Sequence, residues 1–346
     1  MNDRPQMLGF ALILLVVSCK GSSQAANTDG GDAQAASVAA ADDHARAGFR
    51  LWDGDGDGGA KDQPGAQKLF TDACAQGSQL GCTGLALTYL DGVGGTGKDY
   101  KKAVSLLQPA CDAKIPRACS ALGNVYADGE GVAKDENKAG DLYKIACDGG
   151  EPRGCFGLGL LYAQGHGGLP KDEPHALTLM KTACDGGVVE GCYAVAIFFR
   201  DGAGSAVAKS PSDAAHYAQL ACDGVGGRRS ADGCKLLGLF YDDGTGVPKD
   251  RKKERELLAT SCDLGSASGC AAYGGLMLRD GMAADRKVAA EAFGKACDGN
   301  DAQGCYGLAT CERQGWGTDR SPMSADDHLK KACDLGSASA CREYRR

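Results

Sequence analysis

Two apolar patterns alternate along most of the chain, and each has the spacing of one helix face. In the first, an apolar residue is followed by Gly or Ala, then by an aromatic residue three positions on and a glycine three further. Examples are Leu122-Gly123, Tyr126 and Gly129, or Leu237-Gly238, Tyr241 and Gly244. Steps of three and four residues put these side chains on one side of a helix. The small residue lets a neighbouring helix come close, and the last glycine suits the left-handed residue that ends a helix. A loop of the form G-x-G-V-x-K-D follows, so Asp99, Asp135, Asp172 and Asp250 stand where a helix N-cap is wanted. The second pattern carries Ala at Ala66, Ala103, Ala139, Ala176, Ala214, Ala289 and Ala325, with apolar residues such as Leu142 and Tyr143 behind it. Glu254 breaks this Ala series. The fold class expected is all-α, a succession of antiparallel helix pairs.

Cysteines mark the joints of that succession. Each second pattern ends in one and the next first pattern opens with one. This gives the pairs Cys74/Cys82, Cys111/Cys119, Cys147/Cys155, Cys184/Cys192, Cys222/Cys234, Cys262/Cys270, Cys297/Cys305 and Cys333/Cys341. Seven of the eight pairs are eight residues apart, and successive first cysteines lie 35 to 40 residues apart, which is the signature of an array of one supersecondary unit. A short Asp/Gly-rich turn such as Cys147-Asp148-Gly149-Gly150 lays the last turn of one helix beside the first turn of the next, within reach of a disulfide. Four extra residues between Cys222 and Cys234 make that bridge the least secure of the eight. Zinc is the competing reading, but no Cys-x2-4-Cys bite occurs and the five histidines (His44, His166, His175, His216, His328) are scattered. Each disulfide closes a small loop worth roughly 2 to 3 kcal/mol in the chain-entropy model.

Composition narrows the picture further. The chain has 346 residues with 53 glycines and 18 cysteines, against 8 Phe and 2 Trp, so one large core is not expected and small stapled units are. With a formal net charge of -7 and 24% charged residues, the chain is neither a polyelectrolyte nor a basic nucleic-acid binder, and no nucleic-acid partner is expected. The first residues read as an export signal: Arg4, an apolar run from Met7 to Val17 that is too short to span a bilayer, then Ser18 and Cys19. Val16-Val17-Ser18-Cys19 resembles the bacterial lipobox, which implies cleavage after residue 18 and acylation of Cys19, the membrane partner then being reached through that lipid. An ordinary secretory signal with an incidental cysteine is the alternative. Lys20, in place of an aspartate that favours inner-membrane retention, points to the outer membrane, facing the periplasm or the cell surface. Residues 19–37 read as a flexible tether and 38–346 as a solenoid of about eight repeats. A first, cysteine-poor repeat starts near Asp42, with His44 in the place of its first-helix cysteine.

The run L-G-x-x-Y-x-x-G-x-G-V-x-K-D followed by an Ala-rich helix resembles the Sel1-like repeat, a relative of the tetratricopeptide repeat. The added cysteine pairs in segments such as ACDLGSASAC, residues 332–341, resemble the Helicobacter cysteine-rich protein type. The resemblance covers about Asp43 to the C-terminus. It implies a right-handed α-solenoid with a concave binding face and a role as scaffold or adaptor for an envelope protein or peptide. For some members it implies penicillin binding or β-lactamase activity.

Little in the sequence assembles a reaction centre, and no cofactor is implied. Gly92 to Asp99 nearly spells a phosphate loop, but Asp99 replaces the required Ser or Thr and the segment recurs as an interhelical loop. Asp53, Asp55 and Asp57 resemble the first half of a calcium loop, whose second half fails at Lys61 and Pro64; a solvated loop is the other reading. No Ser-x-x-Lys occurs, and Lys181-Thr182 runs into Ala183. The enzyme reading is therefore the alternative and a non-enzymatic binding role the main expectation. The variable first-helix positions Asn124, Gln164, Phe198, Asp243 and Cys311 are the candidate groove residues. Asn124 stands where carboxylate-binding tetratricopeptide domains often hold an asparagine. Cys311, left without a partner, is either a small buried residue or a free thiol for exchange. A Cys19→Ser variant is expected to lose acylation and leave the membrane fraction, read by fractionation and mass spectrometry; unchanged attachment would place the anchor elsewhere.

Overall fold

The computed structural model describes residues 29–54, 61–93, 97–203, 206–281 and 283–344. Among these residues seventeen helices succeed one another. The first six are α1 (Asp29–Asp53), α2 (Gln63–Ala75), α3 (Gln79–Asp91), α4 (Tyr100–Asp112), α5 (Pro116–Asp128) and α6 (Glu136–Asp148). There follow α7 (Pro152–Gln164), α8 (Glu173–Asp185), α9 (Val189–Asp201), α10 (Pro211–Asp223), α11 (Ala231–Asp243) and α12 (Arg251–Asp263). The last five are α13 (Ala267–Asp280), α14 (Ala283–Asp298), α15 (Ala302–Gln314), α16 (Pro322–Asp334) and the short α17 (Ala338–Tyr344). Each packs on its neighbours in the chain, and odd-numbered helices also touch the next odd-numbered one, as α1 touches α3 and α5 touches α7. The result is a right-handed α-solenoid of antiparallel pairs.

Local chemistry sets the helix ends. The expected caps all form: Asp99, Asp135, Asp172 and Asp250 accept hydrogen bonds from the backbone N–H groups of Lys102, Lys138, His175 and Lys252, satisfying donors that the helix leaves free. Helices α3, α5, α7, α11, α13 and α15 end on left-handed glycines such as Gly129, whose N–H returns to the Val125 carbonyl, whereas α9 ends on Gly202 at ψ 174°. Seven of the eight turns from an even to an odd helix have three residues, the middle one left-handed, as Gly150 is; Lys114 and Asn300 take the same conformation without being glycine, and the α10–α11 turn has seven residues.

A disulfide joins every even helix to the odd helix that follows it. Cys74 is bonded to Cys82 with their Cα atoms 4.4 Å apart, Cys111 to Cys119 at 4.7 Å, Cys147 to Cys155 at 4.5 Å and Cys184 to Cys192 at 4.7 Å. In the second half Cys262 is bonded to Cys270 and Cys297 to Cys305, both at 4.3 Å, and Cys333 to Cys341 at 4.5 Å. The Cys222–Cys234 bridge closes at 4.4 Å like the rest, its four extra residues being taken up in a loop turned by a Val225–Arg228 bridge. The second cysteine of a pair opens an odd helix on its inner side, so Cys82, Cys119, Cys155, Cys192 and Cys305 are buried, whereas Cys341 on the terminal α17 is half-buried. Such close helix ends need small residues beside the sulfurs. Alanine, or Ser261 in one repeat, precedes the first cysteine, and glycine or alanine the second. A Cβ on Gly81 would lie 2.6 Å from that of Ala73, and one on Gly154 2.5 Å from that of Ala146.

One side chain, four residues before each first cysteine, fills the space between its own helix and the odd helices on either side. Phe70, Tyr143 and Phe293 are the large ones, and each meets two glycines. Cβ atoms on Gly48 and Gly84 would strike Phe70, those on Gly123 and Gly157 would strike Tyr143, and those on Gly274 and Gly307 would strike Phe293. Leu107 instead shares its cluster with Ala86 and Ala121, and Ala218 shares its cluster with Ala196 and Leu236. Large thus meets small on both sides, and the smallest residue meets a leucine, as close packing requires.

One expectation is corrected, and Glu254 and Asp53 find their places. The helical chain begins at Asp29, so the tether expected over 19–37 gives up its last nine positions to α1; the Ala-rich stretch favours helix, and Ala41 and Ala45 dock in one cluster with Ala73. Glu254, where the Ala series breaks, is 2% exposed and charge-paired with Arg251 at 2.9 Å and Arg279 at 2.7 Å. Asp53 is the last residue of α1, and its carboxylate pairs with Arg117 at 3.0 Å. Asp55 and Asp57, like the signal segment and Cys19, lie outside the described residues.

The packing rule predicts compensation. Phe70→Ala should cost about 3 to 5 kcal/mol and Gly84→Leu about 1 to 3 kcal/mol. The double variant, which recreates the Ala218/Leu236 combination, should be more stable than the two losses combined imply by about 1 kcal/mol or more in urea unfolding. Strict additivity would refute the packing rule.

Candidate binding groove

The odd-numbered helices line the inside of the coil, and their ends meet across it. Asp53 closes α1 and pairs with Arg117 in the first turn of α5, two repeats on, while the Arg117 guanidinium lies 4.1 Å from the centre of the Phe49 ring. The corresponding residues of the next step are Asp91, ending α3, and Arg153, opening α7. These form no ion pair, yet the charge of Arg153 opposes the rise that burial imposes on the Asp91 carboxyl, Lys98 opposing it more strongly. In the third step Asp128 ends α5, but the opening turn of α9 carries Glu190 instead of arginine. The missing cation arrives from the inserted loop: Arg228 reaches over and pairs with Glu190 at 3.3 Å.

Two cavities, of 610 and 500 Å³, occupy this inner face and share Arg153, Val188, Glu190 and Arg228. The first lies among Trp52, Asp91, Arg117 and the Gly186–Gly187 turn. The second has an apolar floor of Phe156, Leu160 and Leu161 with Asn124 and Gln164 beside it. Leu160 is 36% exposed on that floor. Gly226 of the inserted loop packs against Gly187: a Cβ on Gly226 would lie 2.5 Å from the Gly187 carbonyl oxygen. That contact fixes the loop over the groove. The Tyr143 hydroxyl, kept protonated because burial pushes its pKa up, donates to Asn124 Oδ1 at 2.7 Å.

Of the five groove candidates, Asn124 and Gln164 line the second cavity. Asp243 is exposed at the end of α11, where it accepts from the Thr245 N–H at 2.7 Å, and Phe198 is half-buried; neither borders the two cavities. Cys311 is not on the groove at all. It is fully buried among Leu258, Leu276, Met277 and Phe293, because six positions after the second cysteine the helix turns its side chain towards the core, as it does for Val125 and Phe240. Arg153, Phe156, Leu160 and Arg228 were not singled out from sequence. Arginine two positions before a second cysteine, at Arg117 and Arg153, and the insertion itself were the available signals.

Comparison with known proteins now decides the family. The Sel1 repeat pattern matches residues 42–78, 79–114, 116–151, 152–188, 189–224, 231–266 and 302–337. The chain belongs to the Sel1 repeat family. Its Sel1 matches skip 267–301, the pair α13/α14, where α13 ends at Asp280 and α14 begins at Ala283 while the helix pair and its bridges persist. The fold is similar to the crystal structure of c5321, a protective antigen present in uropathogenic Escherichia coli strains displaying an SLR fold. That likeness has 24% identity and a TM-score of 0.65, and covers 88% of this chain and 63% of that one, so this chain spans less than two thirds of its length. A Sel1 repeat protein from Oxalobacter formigenes is similar at 23% identity and a TM-score of 0.61, over 91% of this chain and 89% of that one. At such identities the likeness is one of fold. No curated protein matches the chain by sequence.

Within this Sel1 array burial pushes the Cys311 thiol up to about 11, with the Glu312 charge adding to the rise. A raised thiol pKa stabilises the fold fully below the unfolded value near 9 and loses that contribution as pH climbs towards 11. Native protein in the Cys19→Ser background should therefore resist thiol reagents at pH 8, and its urea midpoint should fall between pH 9 and 11 more steeply than that of Cys311→Ala. Fast labelling of the native state would show the thiol to be accessible.

Proposed function

We propose that this Sel1 repeat protein is an exported, lipid-anchored scaffold of the cell envelope that binds a protein or peptide in its inner groove. The observation that carries the reading is where the departures from the repeat fall. Framework positions recur as Gly, Ala and Cys, whereas the exposed Leu160, the half-buried Phe156, Arg153 and the inserted Arg228 gather on one concave surface. Clefts that combine an apolar floor with a few convergent polar groups are the usual form of a binding site. An oxidising compartment accords with eight disulfides. Among the described residues no helix is long and apolar enough to cross a membrane, and attachment in this reading is through lipid on Cys19.

The test is capture of envelope proteins by the full chain and by two variants, quantified by mass spectrometry. Leu160→Asp places a charge on the groove floor and should deplete the specific partner about tenfold or more, as expected for loss of a buried apolar contact at an interface centre. Met323→Asp, at a side chain 81% exposed and outside the groove, should leave capture unchanged. Equal capture by all three proteins would sink the groove as the binding surface.

A further inference from the structure

We propose that the stretch of groove shared by the two cavities selects an extended polypeptide segment carrying an acidic side chain, whose carboxylate is held by Arg153 and Arg228 while a neighbouring apolar side chain rests on Phe156 and Leu160. This rests on the peptide-groove reading and adds the chemistry of the ligand.

The charge balance of the groove carries the inference. Most of its acids already have partners or work on the backbone. Asp53 is held by Arg117, Glu136 by Lys134 at 2.8 Å, and Glu151 accepts from the backbone N–H of Arg153 at the start of α7. Arg153 is different: its guanidinium makes no hydrogen bond or ion pair among the described residues, although it borders both cavities. Its counterpart across the coil, Asp91, makes no ion pair with it among the described residues; desolvation raises the Asp91 pKa, and the charges of Lys98 and Arg153 oppose that rise. Arg228 is paired only with Glu190 among the described residues, at 3.3 Å and with both side chains about half exposed, an arrangement that holds the guanidinium in place at little energetic gain and leaves donors free. Arginine presents five N–H donors in a planar fork, so one carboxylate on Glu190 does not exhaust Arg228.

The inserted loop strengthens the case. It occurs in one repeat, the one whose neighbouring helix has Glu190 at the position where the two preceding repeats have Arg117 and Arg153. The loop costs extra ordered chain and is fixed by the Gly226–Gly187 contact, and what it delivers to the groove is a guanidinium. The basic row is thereby continued for a third step along the coil, above a floor suited to an apolar side chain. Asp128 and Asp91, on the opposite rim, can accept backbone N–H groups of a chain lying between the rims. A basic peptide is the rival occupant, since it would use those two acids instead.

The experiment uses the full chain and three short peptides with the same leucines, carrying Asp, Asn or Lys at the alternating positions and an uncharged dye for anisotropy. The Asp peptide is expected to bind about tenfold or more tightly than the Asn peptide, the range of a charge-assisted hydrogen-bonded contact. Arg153→Gln and Arg228→Gln should each erase most of that difference without changing the Asn peptide. Raising salt from about 50 to 300 mM should weaken the Asp peptide selectively. Stronger binding of the Lys peptide, or an Asp-peptide affinity indifferent to both arginine variants, would overturn the proposal. If in that case Leu160→Asp still abolishes binding of all three peptides, the groove reading survives and only the acidic ligand is lost. Binding that ignores Leu160→Asp would remove the groove itself, and failure of all three peptides to bind would also overturn the acidic-segment proposal.

Discussion

The whole array depends on how closely the last turn of one helix can approach the first turn of the next. At 4.3 to 4.7 Å between cysteine Cα atoms, only residues of about alanine size on one side and Gly or Ala on the other fit beside the bridge. The covalent link and the steric gap therefore require each other: the small residues bring the sulfurs together, and the disulfide compensates for the apolar area that small residues fail to bury. Where Ser261 replaces the alanine, its hydroxyl is fully buried and finds no hydrogen-bond partner among the described residues. The Cys262–Cys270 bridge beside it closes at 4.3 Å, as tightly as any in the array.

Away from the corner the repeats vary in compensated ways. The side chain four residues before each first cysteine ranges from alanine to phenylalanine, and its neighbours on the adjoining helices shrink or grow to match. Polar substitutions are matched as well. Glu254 is buried in one repeat only because Arg251 and Arg279 come with it, and those two reach Asp280 and Asp242 in turn. Removing one member of such a network would strand a buried charge, so these residues form a unit. In a linear array every such unit acts mainly on its neighbours. That locality lets individual repeats depart from the pattern and specialise the surface.

The specialised surface is the inside of the coil between α1 and the inserted loop. Its curvature lets the end of one odd helix face the start of the odd helix two repeats later, and the first such encounter, Asp53 with Arg117, is closed by an ion pair. The second, Asp91 with Arg153, stands open, and the third depends on the insertion. An opening flanked by rigid, disulfide-fixed helices is preorganised, so a ligand entering it does not have to order the protein as well.

Much of this fold was legible in the sequence, for a physical reason. Helix periodicity, capping aspartates, left-handed glycines and cysteine spacing are all local signals, and in a solenoid nearly every contact is local, so they fix the pairs, their order and their eight bridges. Even the longer Cys222–Cys234 loop leaves its bridge at the same separation as the others. The groove was read less well. Asn124 and Gln164 were found because they vary between repeats, but variability alone did not separate Cys311, which varies inside the core, from Leu160, which varies on the surface. Which helix face is concave, which acid meets which arginine across two repeats, and where a four-residue insertion points depend on the curvature accumulated over several units. Arg153 and Arg228 lie 75 positions apart in the sequence, and only the coil brings them to the same cavity.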